Sequence, residues 1–223
     1  MKVIFIAVHP DDETLGCGGT IFKHKGQKDD LFWMILTNMP KNSDLWNGES
    51  QRKRKEEIEA VKKKYGFKKT YQLDYDTTTL DEIPRSELIK KIADIFKDIK
   101  PDILYIPNRS DVHSDHRAAF KCIMSAGKIF NHPYIKKIYM YECVSETEQA
   151  PALSENAFMP NYFVEISKYI DKKIDILKLF ESEIKDHPFP RSEKTIKALA
   201  AFRGAQAGVE YAEGFMILRD IWK

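Results

Sequence analysis

The sequence predicts an α/β fold, a mostly parallel and doubly wound sheet with helices on both faces, as a single domain over residues 1–223. Three observations predict it. Short apolar runs of strand length alternate with longer segments whose apolar residues recur at helical spacing. Two of the runs stop abruptly in loops rich in histidine and aspartate: Val3–Val8 leads into His9-Pro10-Asp11-Asp12-Glu13, and Ile103–Ile106 into Pro107-Asn108-Arg109-Ser110-Asp111-Val112-His113-Ser114-Asp115-His116. No internal repeat, low-complexity tract or linker interrupts the alternation.

The elements follow in order. Residues 2–8 read as a buried strand, and Thr14 to about Lys25 as a helix closed by Gly26. Leu31–Thr37 is a second strand, followed by a polar loop from Asn38 to Asn47. Glu49–Tyr65 is a charged helix with Ile58 and Val61 facing inward, ended by Gly66. A short strand over 69–73 precedes the loop 74–79, and Pro84 opens a helix to about Lys97 with an inward stripe at Leu88, Ile92 and Phe96. After the strand 103–106 and its loop come a helix over 118–130 and strands over 138–141 and 162–166. Ser167 caps a long amphipathic helix to about Lys185, residues 193–207 form the last helix, and 215–218 the last strand. The loop-rich stretch 143–161 reads as an insertion near the site.

Composition narrows the function. A hydrophobic share of 43% with 31% charged residues fits a globular chain, and a net charge of +2 is too small for a nucleic-acid partner. No stretch approaches the roughly 20 apolar residues of a membrane span, and the N-terminal apolar run is too short for a signal-peptide core. Three widely spaced cysteines without a CxxC pair read as reduced thiols, so a cytoplasmic location is expected, with Cys17 a small packing residue. His24, His132 and His187 read as surface or loop residues.

Three consecutive acids at a strand end repel one another unless a cation sits among them. In a parallel sheet both His/Asp loops leave carboxyl ends of strands, where ligand sites assemble. His9, Asp12 and His116 are the candidate ligands for Zn2+, with another divalent ion such as Fe2+ also compatible. Asp11 then lies beside the metal as a base for its water. His113 stabilises an oxyanion or protonates a leaving amine, and Asp115 holds an imidazole, that of His113, in one orientation. Asp12 and Glu13 also suit the N-terminus of the following helix. These parts suit hydrolysis of a neutral carbonyl compound, an amide or an ester. Arg109 is a candidate substrate contact and the obvious arginine for a phosphate ester. The glycines of Gly16-Cys17-Gly18-Gly19 do not fit a dinucleotide fingerprint; close packing of helix on sheet explains them.

His9-Pro10-Asp11-Asp12-Glu13-Thr14-Leu15-Gly16-Cys17-Gly18-Gly19, followed by His113-Ser114-Asp115-His116, resembles the LmbE/PIG-L family of zinc-dependent N-acetylglucosamine deacetylases. Arg54–Glu57, Asp76, Val164–Ser167 and the stretch from Arg203-Gly204 to Phe215 extend the likeness. The resemblance implies a Rossmann-like fold and removal of the N-acetyl group from an amino sugar or its conjugate, a small-molecule substrate. It implies metal binding by His9, Asp12 and His116, with Asp11 as base, His113 as charge-stabilising acid and Asp115 in support. It also marks Arg54 and Asp76 as substrate-side residues, with a salt bridge to Glu57 the other reading of Arg54. Thr37-Asn38-Met39-Pro40 and Ser182-Glu183 depart from the family's usual Thr-Asn/Asp-Gly and Ser-Gln. A different metal hydrolase and a non-catalytic sugar-binding protein are the alternatives on this scaffold.

Overall fold

Side chains of an extended chain alternate between two faces, so a strand apolar at every position needs cover on both. The computed structural model describes residues 1–40 and 48–222, and its first strand, β1 (Lys2–Ala7), meets that requirement. Val3, Phe5 and Ala7 enter one core, while Ile4 and Ile6 enter the other. β1 pairs in parallel with β2 (Asp30–Asn38) on one side and β4 (Ile103–Pro107) on the other. β3 (Lys69–Asp76) extends the sheet beyond β2, and β5 (Lys137–Tyr141) extends it beyond β4, all parallel. Two antiparallel partners follow: β7 (Ala212–Asp220) pairs with β5, and β6 (Tyr162–Glu165) with β7. The order is β3-β2-β1-β4-β5-β7-β6, so the winding reverses between β1 and β4. The carboxyl ends of those two strands carry both His/Asp stretches.

Four helices cover one face: α1 (Asp12–Gly26), α2 (Gly48–Tyr65), α5 (Ile170–Leu177) and α6 (Glu193–Ala207). They contribute Ile21, Val61, Ile174 and Ile196, among others, to a shared core. The other face is covered by α3 (Arg85–Ile99) and α4 (Ser114–Ala126), whose Ile92, Phe96, Ala119 and Ile123 pack under β1 and β4. α1 lies very close to its neighbours. A Cβ at Gly16 would run into the Tyr141 ring, and one at Gly19 into Ile166, which accounts for the glycine run by packing.

Four expectations are corrected. α4 begins at Ser114 and ends at Ala126, so His116 belongs to a helix. The helix expected from Ser167 to Lys185 is only Ile170–Leu177; at its start the Ser167 hydroxyl accepts the Tyr211 amide instead of capping the helix. β3 and β7 are longer than expected, reaching Asp76 and spanning Ala212–Asp220. His24 and His132 are buried: His24 lies between Asp29 and Tyr105, and His132 pairs with Tyr134. Cys17, Cys122 and Cys143 are free and buried. None of the described helices is long and apolar enough to cross a membrane.

Candidate active site

Pro10 stiffens the turn after β1, and Asp12 folds back on it: its Oδ2 accepts the amide hydrogens of Val8 and His9 at 2.9 and 2.8 Å. Asp11 pays for this tight return with φ 147, a conformation that L-residues rarely adopt. Its carbonyl is held by the amides of Thr14 and Leu15, both at 2.9 Å, and its own amide donates to Glu13 Oε2 at 3.3 Å. At the second strand end, the imidazole of His113 takes the N-cap position of α4, Nδ1 accepting the Asp115 amide at 3.1 Å. One turn later, α4 presents His116 toward β1.

The two strand ends meet. Donor atoms of His9, Asp12 and His116 all lie within 4.8 Å of one another. His116 Nε2 is 3.4 Å from His9 Nδ1 and 3.3 Å from Asp12 Oδ2. Each imidazole is tied outward through its other nitrogen, His116 Nδ1 to Asp111 Oδ2 at 2.8 Å and His9 Nε2 to Asp115 Oδ2 at 3.3 Å. A carboxylate acceptor requires the N–H on that outer nitrogen, so the inner nitrogens turn lone pairs toward one point. Two facing lone pairs and a carboxylate oxygen fit a divalent cation.

Asp11 lies beside these donors in another environment. Burial pushes its carboxyl up to about 7, against the Arg191 guanidinium, whose Nη1 donates to Oδ2 at 2.8 Å. Burial also pushes Glu13 up to about 8. For His113, burial and then the neighbouring His9 bring the imidazole down to about 4, so it is neutral at physiological pH.

A pocket of about 190 Å³ opens over the donors, lined by His9, Asp11, Arg54, His113, Glu146 and Arg191 among others. Of the expected substrate contacts, Arg54 lines it, but its guanidinium is turned to the Pro10 carbonyl, Ser182 and Glu183, with Glu57 3.4 Å from Nε. Asp76 is exposed at the end of β3, and Arg109 points to the Glu155 carbonyl; neither lines the pocket. Asp115 is nearer His9 than His113, 3.3 against 3.9 Å, because the Nδ1 of His113 is already engaged in the helix cap. The sequence also offers Trp46, Tyr75 and Phe158-Met159 as aromatic and apolar residues for the entrance; Trp46 lies outside the described residues. Tyr75 donates to Glu87, and Phe158 lines a neighbouring groove of about 580 Å³.

Spacing alone does not signal four residues. Asp111 orients His116 and is itself held by Asn108 and Thr147. Arg191 links Asp11, Glu183 and Ser145. Glu146 enters from the 143–161 segment, and Glu183 joins the two arginines. The departure at Ser182-Glu183 is the one sequence signal for this group.

Residues 4–127 match the family model described as PIG-L, GlcNAc-PI de-N-acetylase, which is more than half of the chain. The chain belongs to the PIG-L family. It is 26% identical over 228 residues to the diacetylchitobiose deacetylase of Thermococcus kodakarensis, covering 99% of this chain and 84% of that protein. The structure is similar to N,N'-diacetylchitobiose deacetylase from Pyrococcus horikoshii, with a TM-score of 0.77, 25% identity, and coverage of 98% and 84% of the two chains. It is also similar in fold to GalB, the 4-carboxy-2-hydroxymuconate hydratase of Pseudomonas putida KT2440, with a TM-score of 0.76 at 17% identity over 100% and 98% of the chains. PIG-L membership therefore rests on the family match over residues 4–127, and the likeness to GalB shows the fold alone.

Proposed function

We propose that the chain is a metal-dependent amidohydrolase that removes the N-acetyl group from an N-acetylglucosamine-type sugar or its conjugate. The observation that carries this reading is the pair of inward-facing imidazole nitrogens of His9 and His116 with Asp12 Oδ2 beside them, next to the separately held carboxylate of Asp11. Family membership and the deacetylase at 26% identity support the substrate class. His9, Asp12 and His116 would hold the ion, zinc being the proposed metal. When bound, it supplies Lewis acidity that polarises the amide carbonyl and makes water acidic enough to lose a proton near neutral pH.

Asp11 accepts that proton. Arg191 holds Oδ2, which leaves Oδ1 as the oxygen with room for it. A carboxyl pushed up to about 7 can both take a proton and release it at neutral pH. His113 serves as a neutral hydrogen-bond donor: with Nδ1 accepting the Asp115 amide, its proton sits on Nε2, available to the developing oxyanion. As the carbon–nitrogen bond breaks, Asp11 returns its proton to the nitrogen, and amine and acetate leave. Asp115 steadies His9 from its outer side while accepting the amides of Thr78 and Leu80. The phosphoesterase alternative loses support, because Arg54 and Arg191 in the pocket are both already paired with carboxylates.

Acetate release from a panel of N-acetylglucosamine derivatives, with and without added zinc, tests the reading. Metal-dependent release from the wild type is expected. Asp11→Asn should lower kcat about 10²–10⁴-fold with zinc content unchanged. Tight zinc binding with no acetate from any derivative would defeat the deacetylase reading.

A further inference from the structure

The polar groups of the pocket are mostly satisfied from within the protein. Arg54 and Arg191 spend their guanidinium hydrogens on Pro10, Ser182, Glu183, Asp11 and Ser145. The Thr37 hydroxyl donates to the Val8 carbonyl, and the Asn38 side chain bonds Asp74 and the Met39 amide. Glu146 differs. It is 7% exposed, yet its Oε2 is buried without a hydrogen-bond partner, while Oε1 stands 3.6 Å from Arg191 Nη2. Leaving a buried carboxylate oxygen unpaired costs more than a typical hydrogen bond returns, so such a group calls for a partner from water, an ion or a ligand.

Several features narrow what that ligand group is. Glu146 belongs to neither of the donor groups that could hold an ion among the described residues, so it is not placed as a further ligand. Its position is fixed by the main chain, since its carbonyl accepts the Val112 amide and its amide donates to the Cys143 carbonyl. The neighbouring Thr147 hydroxyl bonds Asp111, the residue that orients His116. The carboxylate is therefore held against the reacting end of the pocket rather than on a free loop. An acceptor-only group there requires a donor from the ligand, and the donors that a neutral sugar offers are its hydroxyls.

We propose that Glu146, which lines the pocket, is a specificity-determining residue whose carboxylate turns to accept a ring hydroxyl of the bound sugar. This rests on the sugar-deacetylase reading and adds the contact that chooses among sugars. A carboxylate buried for this purpose rejects an analogue lacking the hydroxyl, because the analogue restores the unpaired state.

The test compares wild type, Glu146→Gln and Glu146→Ala in two measurements. The first is calorimetric binding of glucosamine and its 3-, 4- and 6-deoxy analogues. The second is acetate release from the corresponding N-acetyl compounds, with KM and kcat resolved. In the wild type one deoxy analogue should bind about 10- to 100-fold more weakly than glucosamine, as expected for a hydrogen bond to a charged group. In Glu146→Ala that difference should vanish, and Glu146→Gln should keep part of it, with KM rising and kcat changed little. If both variants retain the wild-type ranking of analogues, Glu146 is only a counter-ion of Arg191 and the proposal is overturned. A wild type that binds none of the sugars also overturns it. Selective binding without acetate release would instead remove the deacetylase reading and keep the hydroxyl contact. Unfolding midpoints of the variants separate loss of fold from loss of contact.

Discussion

At the scale of single residues, the site is a set of histidines whose directions are fixed by acids behind them. His116 Nδ1 is 2.8 Å from Asp111 Oδ2, and both groups are fully buried, so the imidazole has one tautomer and one orientation to offer. Removing such an outer carboxylate typically lowers metal affinity by about 10–100-fold. Asp111→Ala is therefore expected to weaken zinc binding by that factor, read by competition with a chromophoric chelator, with less change in Asp111→Asn because an amide oxygen can still accept from Nδ1. An unchanged affinity in Asp111→Ala would show that His116 needs no support. His9, Asp11, Asp12, His113 and His116 were legible because short-range spacing brings each group to one strand end. Arg191 was not legible. It meets Asp11 across 180 positions of sequence, from a turn with no chemical pattern of its own. Glu146 is similar, an acid in a loop whose burial only the fold creates.

At the scale of elements, periodicity locates strands and helices, and local side-chain chemistry decides where they end. α4 starts four residues before its apolar pattern does, because His113 caps it with an imidazole nitrogen, a role usually filled by serine, threonine, aspartate or asparagine. α5 stops at Leu177, although Phe180 beyond it is still buried, so the apolar stripe outlasts the helix that it suggests. The reverse case is α1, whose glycines lower helix propensity in exchange for close approach. Gly16 faces Tyr141, a fully buried ring whose hydroxyl is fixed to the Ile6 carbonyl at 2.8 Å and so cannot swing aside. An alanine there gains about 1 kcal/mol of helix propensity. Overpacking against a rigid core typically costs about 1–3 kcal/mol, and more where the ring cannot move. Gly16→Ala should be net destabilising in urea titration. A stabilised variant would mean that α1 can lift from the sheet.

At the scale of the whole molecule, the sheet separates chemistry from support. The donors gather at the carboxyl ends of β1 and β4, where the winding reverses, and this much followed from the alternation of strands and helices. At the far end of α1, a buried chain of contacts joins the helix to the sheet: His24 Nδ1 to Asp29 Oδ2 at 2.7 Å and His24 Nε2 to the Tyr105 hydroxyl at 3.0 Å. The Met1 amine occupies the other oxygen of Asp29 at 2.6 Å. Burial lowers the His24 pKa, and Asp29 recovers only part of the loss, so the folded protein holds this imidazole neutral to a lower pH than the unfolded chain does. Between the folded pKa and the unfolded value of about 6.5, the unfolded state binds more protons, and stability rises with pH. The contribution of His24 is therefore complete above about pH 6.5 and is lost as the pH falls through the folded value. His24→Gln should cost about 1–3 kcal/mol at pH 7.5, from two buried hydrogen bonds, one of them to a charged group. The gap between wild type and variant should narrow as urea titrations are repeated toward pH 5. A gap that stays constant would mean that folding leaves the His24 pKa unshifted, and a gap that widens toward lower pH would mean that the folded protein holds the imidazolium. The metal affinity of the variant at pH 7.5 should match wild type, since the cluster meets neither strand end that carries the donors.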